Sequence, residues 1–191
     1  QAPDPSALFA VVPADALAVK AVAAADPAEA AAVFLDGARN TGTPVDSFRT
    51  PLHDLLEAGH LTRAQFDSLV GDQFGVAVLA RPYDDTFTVI DRVVVTRPVD
   101  AAAAEIVLRQ VRGALPAVVT ERLAGDVGQP FTLKREEILG ADVWTFDLYT
   151  SGIYAPSFTY VDGWLVMANS LHGIEAVLDA RSRKSSLASQ P

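Results

Sequence analysis

The chain has no cysteine. That excludes a disulfide framework, a thiolate nucleophile and any cysteine-based zinc or iron–sulfur site. Long apolar runs are also missing. The nearest, "ALAVKAVAAA" over residues 16–25, carries Lys20 and stops at Asp26-Pro27. A membrane-spanning helix needs about 20 apolar residues, so no transmembrane segment is expected. Basic charge is in short supply: 15 Lys and Arg stand against 24 Asp and Glu, for a net charge of −9. Such a chain repels phosphate backbones and anionic lipid surfaces, and "RSRK" at residues 181–184 is too short to offset that. Nucleic acid is therefore not an expected partner. An acidic surplus has a plain role in solubility. No G-x-S-x-G elbow occurs, and "GDVGQP" lacks the Lys-Ser/Thr and following helix of a phosphate loop.

What is present is a chain of 191 residues, half of them hydrophobic, long enough to bury a core without metal or disulfide staples. Residues 1–7 are Pro-rich and polar and read as a flexible lead-in. A start at Gln1-Ala2-Pro3 is what signal-peptide removal would leave, so a periplasmic or extracellular location is expected.

Local patterns divide the chain into elements. β-branched content predicts a strand over residues 16–22. Asp26-Pro27 opens a helix, with Asp26 as its cap and Pro27 at the first position. "PLHDLLEAGHLTRAQFDSLV" reads as two short helices broken at Gly59. Leu52, Leu55 and Leu56 share a face of the first, and Leu61, Phe66, Leu69 and Val70 line the second. Thr62 and Gln65 form a capping-box pattern. "GVAVLA" and "FTVIDRVVVT" make a hairpin across "YDDT". Asp100 caps a helix whose apolar face is mixed, and Pro116 is expected to end or kink it.

The last third is the most legible. Two strands flank Gly140; in the second, Trp144, Phe146 and Leu148 alternate with Thr145, Asp147 and Tyr149. "SFTYV" and "WLVMA" are joined by Asp162-Gly163, the strongest short hairpin signal, because both turn residues need positive φ. Ser170 caps a helix with Leu171, Ile174, Val177 and Leu178 on one face. The polar residues of this stretch thus have structural tasks. Asp162 makes a turn, Ser170 caps, His172 sits in the first helical turn, and Glu175 and Asp179 face water. The predicted fold is α+β, with a largely antiparallel sheet, made of a hairpin and a C-terminal meander, packed by helices on one face. One domain is expected over residues 8–184, with 185–191 a tail or the start of a further unit.

Three stretches carry a resemblance: "VPADALAVKAV", "GDQFGVAVLA" and "YVDGWLVMANSLHGIEAVLDA", with a terminal "SSLASQP". In these the chain resembles the bacterial extracytoplasmic domain-of-unknown-function family 3352. The resemblance spans most of the chain and rests on turn chemistry and apolar pattern. It implies an exported or envelope-anchored protein, no enzymatic activity, and a chain that forms the N-terminal portion of something longer.

Candidate chemistry is sparse. His53, Glu57 and His60 stand at i, i+4 and i+7, which on an unbroken helix would present three ligands to one metal ion. Gly59 interrupts that helix, so no metal or other cofactor is expected. Asp84-Asp85 lacks the oxygen-rich loop that a hard cation needs. Trp144, Trp164, Phe146, Phe158 and Tyr160 enrich the meander in aromatics, with Tyr149 and Tyr154 close by. Core packing is the plain role for the inward members. Trp144, Trp164, Tyr149 and Tyr154 are also the candidates for lining a ligand cleft or docking on a partner. The expected function is a non-enzymatic accessory or structural subunit that binds another protein and associates peripherally with a membrane complex. The alternative is a carrier or sensor for an apolar ligand held between sheet and helices.

Overall fold

The computed structural model describes residues 6–23, 56–69, 71, 73–82, 87–127, 132–147 and 155–189. The helix expected at Asp26, the "YDDT" turn with Asp84-Asp85, and Tyr149 and Tyr154 lie outside them, as does His53.

Seven strands form one sheet: β1 (Ala18–Ala23), β2 (Gln73–Pro82), β3 (Thr88–Thr96), β4 (Thr132–Ile138), β5 (Ala141–Asp147), β6 (Ser157–Val161) and β7 (Trp164–Ala168). Their order is β1-β2-β3-β7-β6-β5-β4, and every neighbouring pair is antiparallel. The helices are α1 (Ser6–Phe9), α2 (Arg63–Asp67), α3 (Ala101–Val127) and α4 (Leu171–Arg183), followed by a 3-10 turn at Leu187–Ser189. After β3 the chain leaves the sheet centre through α3 and re-enters at the far edge as β4. It then meanders back until β7 pairs with β3. The α+β class and the largely antiparallel sheet are as the patterning predicts.

The turns explain the meander. Asp162 and Gly163 have φ of 49° and 80°, the positive values that a two-residue hairpin demands. Leu139 and Gly140 repeat this geometry with φ of 50° and 78°. There the first position is a leucine, a residue that adopts left-handed φ only at a cost.

Helix boundaries also follow local chemistry. Thr62 and Gln65 close the capping box in both directions, Thr62 N–H to Gln65 Oε1 at 2.9 Å and Gln65 N–H to Thr62 Oγ1 at 3.2 Å. Asp100 Oδ1 accepts the N–H groups of Ala102 and Ala103 at 2.9 and 3.0 Å. Pro116 neither ends α3 nor divides it: the helix continues to Val127. A proline in a helix interior costs about 3 kcal/mol. Ala114 and Val118, on either side of it, are both buried, and Ala114 shares its cluster with Leu165 of the sheet. The apolar face of α3 is sharper than its sequence suggests. Ala104, Val107, Leu108, Val111 and Ala114 share one hydrophobic cluster, whereas Ile106 points out, 56% exposed.

Packing on a single face is corrected. One cluster joins Val93, Val95, Val143 and Val166 of the sheet to Ile174, Val177 and Leu178 of α4 and to Leu8. The other joins Leu165, Phe158, Tyr160 and Met167 to α3, Leu61 and Leu69. Leu165 and Val166 are adjacent in β7, so the clusters lie on opposite faces. The alternation expected for a half-buried sheet is replaced by apolar side chains on both faces of β7.

Within the stretch 185–191, the described residues 185–189 pack against the N-terminal segment. Pro13 bridges to Ser186, Leu187 N–H donates to Val12 carbonyl at 2.9 Å, and Leu187 packs on the α4-side core.

Candidate functional site

Two constellations of polar side chains stand out, one on each face of the sheet. The first is centred on Asp91. In β3 the residues Val89, Asp91, Val93 and Val95 share a face, all of them buried, and Asp91 is 0% exposed. A carboxylate in that row must be compensated where it lies. Ser170 Oγ donates to Asp91 Oδ1 at 2.6 Å, and His172 Nδ1 lies 2.9 Å from Oδ2. Arg81, on the neighbouring strand, brings Nε to 3.4 Å of Oδ2, an ion pair beyond good hydrogen-bond length. Arg81 Nε and Nη2 are buried without a hydrogen-bond partner.

Ser170 also accepts the Gly173 N–H at 3.1 Å, so one hydroxyl caps α4 and ties it to β3. Asn169 completes the splice. Its Oδ1 accepts Arg92 N–H at 2.6 Å and its Nδ2 donates to the Ile90 carbonyl at 3.3 Å, extending the β3–β7 ladder past Ala168. Gly173 lets the helix come this close: a Cβ there would sit 2.8 Å from the Ala168 Cβ.

Asp, His and Ser invite comparison with a hydrolytic triad, but the order is wrong. In a triad the imidazole lies between carboxylate and hydroxyl, where it can take the nucleophile's proton. Here Asp91 lies between Ser170 and His172. Ser170 is fully buried, with its proton on the carboxylate and a lone pair on the helix. What this arrangement does is lock α4 onto β3. His172, with its side chain 39% exposed, reaches a cleft of about 420 Å³. Pro13, Ala14, Asp15, Ala176, Asp179, Ala180 and Ser185 also line it. Asp179 does not simply meet water there: Arg183 Nε holds it at 2.8 Å. Asp162, beyond its turn role, pairs with Arg181.

The second constellation is open. Trp144 on β5 lies directly opposite Arg135 on β4 and Phe158 on β6. The Arg112 guanidinium carbon stands 4.8 Å from the Trp144 ring centroid, and that of Arg135 5.9 Å from the same ring. Both fall within the range of cation–π attraction. Arg135 is already occupied. Its Nη2 holds both oxygens of Asp142 at 2.7 Å, and its Nε reaches Oδ1 at 3.0 Å. Arg112 instead is held by the indole alone, and among the described residues neither it nor Arg109 forms a hydrogen bond or ion pair. Burial draws the Arg112 guanidinium below its ordinary pKa; Arg109 and Arg135 act the same way, while Glu105 and Asp142 oppose them.

Beneath α3, Tyr160 has a buried hydroxyl without a partner. Burial holds its phenol above the ordinary range, with Glu105 and Asp100 adding to the rise and Arg97 opposing it.

The aromatics do not line one cleft. Trp144, Phe158 and Tyr160 face α3, whereas Trp164 belongs to the α4-side core, with the Arg97 guanidinium 5.9 Å from its ring. The His53–Glu57–His60 grouping also changes. The helical turn at residues 56–58 ends at Gly59, and His60 turns to φ 51°, its N–H on the Glu57 carbonyl at 3.1 Å. His60 therefore leaves the i+7 position, and both Glu57 and His60 are exposed. Among the described residues, no group of three His, Asp or Glu could hold a metal ion. No helix among them is long and apolar enough to cross a membrane.

No family model, curated protein or solved structure matches this chain.

Proposed function

We propose that this chain is a non-enzymatic protein-interaction module, an accessory or structural subunit that works outside the cytoplasm at a membrane-associated assembly. The observation that carries this reading is the Trp144 platform. Tryptophan and arginine are enriched among the side chains that anchor protein interfaces, tryptophan for its large rigid contact and arginine for its planar fork of donors. Here a half-buried indole stacks with two guanidiniums, and the donors of one of them find no acceptor in the described fold. An interior aromatic serves packing without such a display. The pattern resemblance to an exported family is what supports the location.

The alternative, a carrier for an apolar ligand, has less support, because the described aromatics Trp144, Phe158 and Tyr160 lie on one face of the sheet and Trp164 on the other. The test is co-purification of the tagged full chain from native envelopes, with Trp144→Ala and Arg112→Gln in parallel. A partner retained by the wild type and lost from both variants supports the reading. Identical recovery from all three chains contradicts it.

A further inference from the structure

The geometry points to the chemistry of the partner: we propose that the Trp144 platform receives a carboxylate-rich peptide segment, seated on Arg112 and Arg109. This rests on the interaction reading above and goes further by naming what is bound.

A guanidinium stacked on an indole is oriented before anything binds. Its N–H groups form a planar fork of donors. The Arg112 guanidinium carbon stands 4.8 Å from the Trp144 centroid, and among the described residues that fork meets no acceptor. Arg109, one turn back on the exposed side of α3, adds a second cation with no ion pair among the described residues. The platform already demonstrates its preference. Arg135, the other guanidinium on Trp144, takes the Asp142 carboxylate with two nitrogens. An incoming carboxylate would repeat at Arg112 what Asp142 does at Arg135.

Burial is the main cause of the lowered Arg112 pKa, and Arg109 and Arg135 add to it; a carboxylate bound among the three would relieve their mutual repulsion. Glu105, at the end of the same helical stripe, and Asp142 are the internal carboxylates that oppose it. Among the described residues, the outer side of α3 beside Arg109 is uncovered. A Cβ added at Gly113 would meet nothing within 4 Å, and exposed Ile106 offers an apolar contact one turn back along α3.

The test uses the full chain carrying Trp164→Phe, so that fluorescence reports Trp144 alone. It is titrated with a short Glu-Leu-Glu-Glu peptide, its Gln and Lys counterparts, inorganic phosphate, and vesicles containing phosphatidylglycerol. The expected result is quenching by the Glu peptide alone, weakened by salt and by about tenfold in Arg112→Gln. Circular dichroism verifies that each variant folds. Reversal of both charges, Arg109→Glu with Arg112→Glu, is expected to exchange preference from the Glu to the Lys peptide. Equal response to the Gln peptide, or a response to phosphate or vesicles with the Glu peptide silent, overturns the proposal. So does salt-sensitive dimerisation in sedimentation that Arg112→Gln abolishes, since a second copy would then be the occupant. If the Glu peptide fails while envelope co-purification still depends on Arg112, the carboxylate assignment falls and the interaction reading stands.

Discussion

Asp91 and Arg112 are both charged side chains packed against apolar neighbours, and the sheet treats them oppositely. On the α4 side, Asp91 is closed off, with Ser170, His172 and Arg81 gathered around it. On the α3 side, Arg112 rests on Trp144, and among the described residues its donors meet no acceptor. The difference separates a charge consumed by the fold from one left over by it. A buried carboxylate with donors on each oxygen is costly to disturb and has nothing to offer a ligand. A guanidinium held only by stacking is cheap to alter and ready for an acceptor. On the proposed reading, function is sought at a half-buried guanidinium whose donors meet no acceptor among the described residues, rather than where able residues converge.

The largest expected effect lies at the closed site. Asp91→Ala leaves a guanidinium without its counter-charge and removes Ser170's acceptor, so it should cost about 3 kcal/mol or more in urea unfolding. Replacing Asp91 and Arg81 together by leucine should restore much of that loss; if it does not, the ion pair is more than a register device. Ser170→Ala, which deletes the α4 cap and one donor, should cost about 1–2 kcal/mol.

Outside both regions, the two hairpins provide a control on the scale of backbone effects. Leu139→Asn places an αL-tolerant residue at φ 50° and should raise stability by about 1 kcal/mol, seen as a later urea midpoint. An unchanged midpoint would mean that the exposed leucine makes a compensating contact.

The smallest effect concerns Tyr160. Its phenol is held above the ordinary value of 10.0, so the folded state keeps a proton that the unfolded chain releases first. Stability should fall as pH rises through and beyond that value. Tyr160→Phe should flatten that alkaline decline and, by removing an unpartnered buried hydroxyl, leave neutral stability equal or slightly higher.

The local grammar of the sequence carried far. Asp162-Gly163, the Thr62–Gln65 box and the Asp100 and Ser170 caps each depend on residues within a few positions, and each forms as its chemistry dictates. What depends on distant partners was hidden. Asp91 meets Ser170 and His172 across 79 and 81 positions, which no window along the chain can display. A signal was nevertheless there: at period two, Asp91 falls in line with Val89, Val93 and Val95, a lone carboxylate in a valine row. The Arg112–Trp144 stack gave less warning. It requires α3 to lie over β5, and the mixed pattern of "AAAAEIVLRQVRGAL" concealed which face α3 would bury. The passage of α3 through Pro116 and the two-sided sheet have the same origin, since tertiary packing overrode local preference in both.

The most direct test measures the two sites side by side: urea unfolding of Asp91→Ala and Arg112→Gln against the parent chain. The account requires a loss of about 3 kcal/mol or more for Asp91→Ala and a loss of no more than about 1 kcal/mol for Arg112→Gln. If Arg112→Gln destabilises the chain as much as Asp91→Ala, the platform is part of the fold's own framework, and the contrast on which its binding role rests is gone.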